Sequence, residues 1–253
     1  MSTSSSSYDV IGDPAFFGQV WAEDYDTGPT PDPTAAVDFL ASLADGGRTL
    51  ELAVGTGRVA LPLAARGVPV EGVEGSELMA AKLAAKPGGS GVPVTIGDMA
   101  DVPVTGRFAL VYLVFNTIFN LVDVRRQADC FTNVARVLEP DGAFVVETYV
   151  PDPSRFPGGK RVQALWADAE SAAIEVYDVD LAAQRFVSQK VIFTADGIRL
   201  KPHAQRYTFP GELDLMAERA GLRLTERHES WDRRPFTGAS STHVSVYRPL
   251  AAT

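Results

Sequence analysis

The chain has 253 residues, 45% of them hydrophobic, and a formal net charge of -9, enough to bury a full core as one large domain or as a main domain with an inserted cap. The acidic balance opposes binding to a nucleic-acid backbone, and no apolar run approaches a membrane span. The only cysteine, Cys130, forms no internal disulfide, which suits a reducing cytosol.

The amino terminus, MSTSSSSYDV, has neither a charged start nor an apolar segment. It reads as a solvated, disordered tail over residues 1–20 and not as a signal peptide. Thr34 is placed to N-cap a helix running through Ala44, with Val37, Leu40 and Leu43 on one side. RTLELAV is then a short strand, and RVALPLAAR the helix after its turn. VPVEGVE is a second strand followed by the helical ELMAAKLAAK, and VPVTI is a third. FALVYLVF is a fourth, apolar nearly throughout, as a strand buried on both faces must be. A helix is expected between Asp123 and Leu138, with Val124, Ala128, Phe131, Val134, Ala135 and Leu138 at core spacing. GAFVVETYV is a fifth strand after the turn EPDG. From Arg161 to Thr208 four β-rich runs follow one another, RVQALWA, AAIEVYDVDL, QRFVSQKVIFT and IRLKPHAQRYTF, as in an antiparallel meander. The helix GELDLMAERAG and the strands LRLTERHESW and THVSVYR close the chain.

Strands alternating with helices imply right-handed crossovers and a parallel sheet. The expected fold is therefore α/β: a doubly wound, Rossmann-like, seven-stranded sheet with an inserted antiparallel β cap. Residues 21–150 form the cofactor-binding core, 151–208 the cap, and 209–253 return to the core.

The junction ELAVGTGRVA carries the chemistry. Its G-x-G turn lets backbone approach a ligand closely, and GTGRVA also satisfies the dinucleotide fingerprint G-x-G-x-x-G/A. Glu51, however, lies inside the first strand, where a buried acid is an odd cost unless a cation must be held nearby. Glu74 ends the second strand, where it can accept both hydroxyl hydrogens of a ribose. The third strand ends in IGDM, which places Asp98 to accept from an exocyclic amine and Met99 to pack on a purine. Three acids at three successive strand ends match an ammonium, a ribose diol and an adenine, and they do not match a pyrophosphate.

In LELAVGTGR, GVEGSELM, GDM and LVYLVFNTIFNL the chain resembles the class I S-adenosylmethionine-dependent methyltransferases, over roughly Tyr25 to Val150 and more loosely through Arg248. The resemblance implies S-adenosyl-L-methionine as cofactor. By it, Glu51 and the turn Ala53, Gly55, Thr56 and Gly57 hold the methionine end, and Tyr25 closes over its carboxylate. Glu74 takes the ribose, Gly75 beside it also binds the cofactor, and Met79, Asp98 and Met99 frame the adenine. Val114, Phe115 and Asn116 line the floor at the end of the fourth strand. Glu74 departs mildly from the family's usual aspartate. No metal is implied, since His203, His228 and His243 lack ligand spacing.

Methyl displacement needs in-line approach more than a strong acid or base, and a nearby carboxylate, imidazole or tyrosine assists any proton loss. Strand ends facing the crevice nominate Asn116, Asn120, Glu147 and Tyr149 as catalytic, with His203 from the cap. The fourth strand ends in VFNTIF, without the NPPY-like tetrapeptide of nucleic-acid amino methyltransferases. With the acidic charge, this argues for a small-molecule acceptor and against nucleic acid. The cap aromatics Trp166, Tyr177, Phe186, Phe193 and Tyr207 are candidates for an aromatic-walled pocket. In overall pattern the chain is similar to bacterial small-molecule methyltransferases of natural-product pathways. Nitrogen, oxygen and carbon acceptors stay open, as does a homodimer. So do an NAD-dependent oxidoreductase and a non-catalytic cofactor-binding protein.

Overall fold

Apolar runs punctuated by glycine and proline fold into two sheets. In the computed structural model, which describes residues 10–27 and 31–250, five strands pair in parallel: β1 (Thr49–Leu52), β2 (Val70–Glu74), β3 (Val94–Ile96), β4 (Phe108–Leu113) and β5 (Leu138–Tyr149). With β10 (Leu222–His228) and β11 (Thr242–Pro249) they form a seven-stranded sheet ordered β10-β11-β5-β4-β1-β2-β3. β11 runs antiparallel to both of its neighbours, so the sheet ends in the reversed pair expected from the last two strands. Strand order reverses between β1 and β4, and a crevice opens at the carboxyl ends of strands at such a switch point.

The sheet is flanked by α1 (Pro14–Trp21), α2 (Thr34–Ala44), α3 (Ala60–Ala65), α4 (Glu77–Ala85), α5 (Val124–Val137) and α6 (Pro210–Arg219). They cover both sheet faces, which explains the unbroken apolar character of β4. Leu110 and Tyr112 join the core on one face and Val111 and Leu113 the core on the other, all four fully buried. Each such large side chain contributes about 1.5–3 kcal/mol of burial. The turn EPDG sits at the start of β5 as an irregularity, since Phe108 faces Leu138 while Leu110 faces Ala143.

β6 (Lys160–Ala167), β7 (Ser171–Asp180), β8 (Arg185–Thr194) and β9 (Gly197–Arg206) make a separate antiparallel sheet in simple meander order. β9 packs on α1 and on the 3₁₀ turn Thr117–Asn120 that follows β4, so this sheet caps the crevice.

Three expectations need correction. Part of the span expected to be a disordered tail is helical. Asp13 caps α1 by accepting from the Ala15 amide at 2.8 Å, with Pro14 at the first helical position. A Cβ on Gly75 would lie 2.2 Å from Pro14 Cβ, so α1 lies directly on the turn after β2. The serine run itself falls outside the described residues. Thr34 is the first residue of α2 and not its cap; Asp32 accepts from the Thr34 amide at 2.9 Å instead. Val124, at the exposed start of α5, does not reach the core, whereas Ala128, Phe131, Val134 and Ala135 do, joined by Cys130 and Val137.

Candidate active site

The loop after β1 turns sharply, with Ala53, Gly55 and Gly57 all at positive φ (53°, 58° and 79°). A Cβ built on Gly55 would meet nothing closer than Met79 Cε at 3.6 Å, so the space beside this turn is open. That space is a cavity of about 160 Å³. Ten of the expected site residues line it: Tyr25, Ala53, Gly55, Glu74, Gly75, Met79, Met99, Phe115, Asn120 and His203.

Glu74 organises the cavity's edge. Its Oε2 accepts from the Gly55 amide at 2.8 Å and its Oε1 from the Ser76 amide at 2.9 Å. The carboxylate has about four lone-pair sites, so it can still accept from an incoming hydroxyl. Burial raises its pKa, and the amides of Gly55, Ser76 and Gly75 oppose that rise. A ligand with a ribose diol and an apolar ring fits here, between Glu74 and the methionines Met79 and Met99.

We expect Glu74→Ala to weaken S-adenosylhomocysteine binding at least tenfold by calorimetric titration, since two charge-assisted hydrogen bonds are each worth about 1.5–3 kcal/mol. Glu74→Gln should also be impaired, because its NH₂ would be forced against one of the two amide donors. Unchanged affinity in both variants would put the ribose elsewhere.

The remaining expected cofactor residues do not line the cavity. Glu51 is 3% exposed and accepts from the Tyr112 hydroxyl at 2.9 Å. Burial pushes it up to about 8, against the hydrogen bonds from Tyr112 and the Ala60 amide. Thr56 and Gly57 brace the loop: Thr56 Oγ1 donates to Asp26 at 2.8 Å, and Lys86 bridges Asp26 and the Thr56 carbonyl, also at 2.8 Å. Tyr25 thereby sits at the cavity wall, with Arg58 stacked between it and Phe115, 5.1 Å and 4.9 Å from the two ring centroids. Asp98 spends its oxygens on the Ala100 amide (2.8 Å) and on Arg126 (2.9 Å), away from the cavity lining. Val114 is buried, and its carbonyl accepts from the Thr117 hydroxyl at 2.6 Å.

Two of the expected catalytic residues hold the turn after β4 instead of lining either cavity. Asn116, at φ 63°, accepts from the Tyr149 amide at 2.6 Å. Glu147 accepts from the Phe115 amide and from the Trp231 indole, both at 2.7 Å. Its pKa is raised, chiefly by burial. These contacts fix Phe115, itself at φ 56°, in the cavity wall.

A second cavity, of about 320 Å³, lies against the inner face of the cap sheet. Tyr149, Phe156, Tyr177, Phe186 and Tyr207 form its aromatic wall. Trp166 and Phe193 do not contribute; they are 40% and 38% exposed, and the Trp166 indole donates to Ser171. His203 and Gln205 line both cavities. Asn120 Oδ1 accepts from Gln205 Nε2 at 2.9 Å and faces His203 Nε2 at 3.0 Å. A carbonyl oxygen there requires Nε2 to carry the proton, which leaves Nδ1 as the basic atom. Burial drops His203 to about 4, with Glu175 opposing and Lys190 adding, so the ring is neutral at pH 7.

Sequence reasoning missed Phe17, Thr117, Gln205 and Arg58. Phe17 meets the His203 ring edge-on at 5.7 Å from within the supposed tail. The period-2 pattern of β9, which puts residues 203 and 205 on one face, was a usable signal for Gln205.

The family described as methyltransferase domain matches residues 49–142, which span β1 to the start of β5. The CcbJ methyltransferase of Streptomyces caelestis is 40% identical, covering 94% of this chain and all of that one, with a TM-score of 0.88. CalS10 of Micromonospora echinaspora, an amino pentose methyltransferase involved in calicheamicin biosynthesis, shares the fold at 23% identity and TM-score 0.65, over 89% of this chain and 94% of its own. YqeM of Bacillus subtilis (strain 168), itself only provisionally named a methyltransferase, is 31% identical over 112 residues. That match spans 43% of this chain and 45% of the relative's length.

Proposed function

The chain belongs to the S-adenosylmethionine-dependent methyltransferases acting on small molecules, and from that premise we propose which cavity serves each substrate. The donor occupies the 160 Å³ cavity and the acceptor the 320 Å³ cavity, with in-line transfer to a nitrogen, oxygen or carbon where they meet. The observation that carries this reading is that both cavities share His203 and Gln205. When bound, the cofactor supplies a methyl group already activated on a sulfonium.

The rest is the work of this chain's residues. Glu74 accepts the ribose hydroxyls, Gly55 leaves room beside its turn, and Met79 and Met99 pack the base. Phe115, held by Glu147 and Trp231, is the wall against which the donor is positioned. Asn120 holds the His203 ring so that Nδ1 can take a proton from the acceptor. The cap sheet covers the crevice and excludes water, so its inner face selects the acceptor while Glu74 and the glycine turn select the donor. The bacterial natural-product enzymes among the solved relatives make a natural-product intermediate the favoured acceptor class. Incubation with methyl-labelled cofactor and a bacterial metabolite extract tests the reading. Label is expected in a small-molecule fraction; tight cofactor binding without any transfer would leave a binding protein.

Glu51 gives a second check. Being pushed up to about 8, it is mostly protonated at pH 7 in the free protein. An ammonium held nearby lowers a carboxyl's pKa, so ligand binding should release a fraction of a proton, at most about one. Calorimetry of S-adenosylhomocysteine in two buffers of different ionisation enthalpy should show this release, and Glu51→Gln should abolish it. Buffer-independent heats would separate Glu51 from the ammonium.

A further inference from the structure

We propose that the acceptor carries an anionic group, a carboxylate or a phosphate, which Arg155 and Arg161 hold at the end of the larger cavity opposite His203. The inference rests on the assignment of that cavity to the acceptor.

Four charged side chains line the cavity: Asp152, Arg155, Arg161 and Glu175. The two acids are satisfied from within. Asp152 Oδ1 accepts from the Ser154 amide and hydroxyl, at 3.1 and 2.5 Å, and Glu175 Oε2 accepts from the Tyr177 hydroxyl at 2.6 Å. The two guanidiniums have no such partner. Among the described residues neither forms an ion pair, and the Arg161 guanidinium lies over the Phe156 ring, 5.9 Å from its centroid. Two arginine forks engaged in no ion pair among the described residues, in a chain of net charge -9, suit bidentate capture of a carboxylate or phosphate.

Sheet register supplies the distance. Arg161 faces Tyr177, Tyr177 faces Ser188 and Ser188 faces His203, one row across β6 to β9 on the face that lines the cavity. Three strand spacings of ~4.8 Å separate the backbones of Arg161 and His203 by about 14 Å. Arg155 joins Arg161 from the 3₁₀ turn Pro153–Arg155. Burial and Glu175 raise the Tyr177 hydroxyl's pKa while Arg161 and Arg155 oppose them, so both charges stand near that ring. The acceptor thus has its anion and its methyl-accepting atom at opposite ends, with an apolar or aromatic middle against Phe156, Tyr177 and Phe186.

The test compares phenyl phosphate, phenylacetate and benzyl alcohol as probes, titrated by ligand-observed NMR into the full chain, with and without S-adenosylhomocysteine. At least one anion should bind five-fold or more tightly than the alcohol, and whichever anion binds better identifies the head group. In Arg155→Gln/Arg161→Gln that preference should fall below two-fold while S-adenosylhomocysteine affinity stays within two-fold. The single variants, each losing part of the preference, serve if the double variant does not fold. Equal binding of all three probes to the unaltered protein, or an undiminished preference in the variants, would overturn the proposal. Failure to bind S-adenosylhomocysteine would instead strike the donor assignment, and the probe comparison without it still reads the anion site.

Discussion

Replacing His203 by glutamine should lower kcat by about 10²–10⁴-fold, the usual contribution of a positioned general base, while cofactor affinity stays within a few-fold. Among the described residues His203 is the one titratable side chain that lines both cavities, and it is unprotonated at pH 7 with a nitrogen free to accept a proton. Asn120 holds its Nε2, so the free nitrogen is defined by the partner and not by chance. The pH profile gives the sharper reading. Because burial drops the ring to about 4, the acid limb of kcat/KM should lie well below the ordinary histidine value of about 6.5. Stability follows the same linkage. The unfolded chain takes up this proton at higher pH than the folded one, so the His203 contribution is present above about 6.5 and is lost as pH falls toward 4. His203→Gln should flatten that part of the stability curve relative to the unaltered protein. A variant with unchanged kcat and an unchanged acid limb would remove His203 from the chemistry.

The second large effect is Gly55→Val, which should abolish cofactor binding, with a loss of at least 100-fold. At φ 58° a β-branched residue is strained by about 1–2 kcal/mol. An added Cβ nevertheless clashes with nothing, the nearest atom being Met79 Cε at 3.6 Å. The protein should therefore fold, somewhat destabilised, with a branched side chain standing in the donor cavity. Thermal unfolding with and without S-adenosylhomocysteine separates the two effects: a lowered but cooperative transition, and no ligand-induced shift. A ligand shift equal to that of the unaltered protein would mean the methionine end passes elsewhere.

What was legible in the sequence was whatever one strand and its own turn carry. Glu74, Gly55 and Met79 belong to contiguous strand–turn–helix segments, so spacing along the chain already states spacing in the site. Asn116 and Glu147 looked equally catalytic by that rule, and the fold gives both a structural task, tying the turn after β4 to β5. Their partners, Tyr149 and Trp231, come from distant segments that adjacency in the chain does not disclose. Asp98 was read as an adenine contact, and its ion pair with Arg126 was invisible for the same reason, since Arg126 reaches it from α5. The amino-terminal helix was hidden by its serine-rich neighbour, although Asp13-Pro14 is an ordinary helix start. The Lys201–Asp24 ion pair and the Trp21 ring beneath Lys201 tie the end of α1 and the segment after it to the cap. Only the fold brings these pieces around one crevice.

A crystal structure of the S-adenosylhomocysteine complex tests the central claim most directly. The account predicts ribose hydroxyls on Glu74, the base against Met79 and Met99, and the sulfur at the opening into the larger cavity beside His203. A ribose away from Glu74, or a sulfur closed off from that cavity, would contradict it.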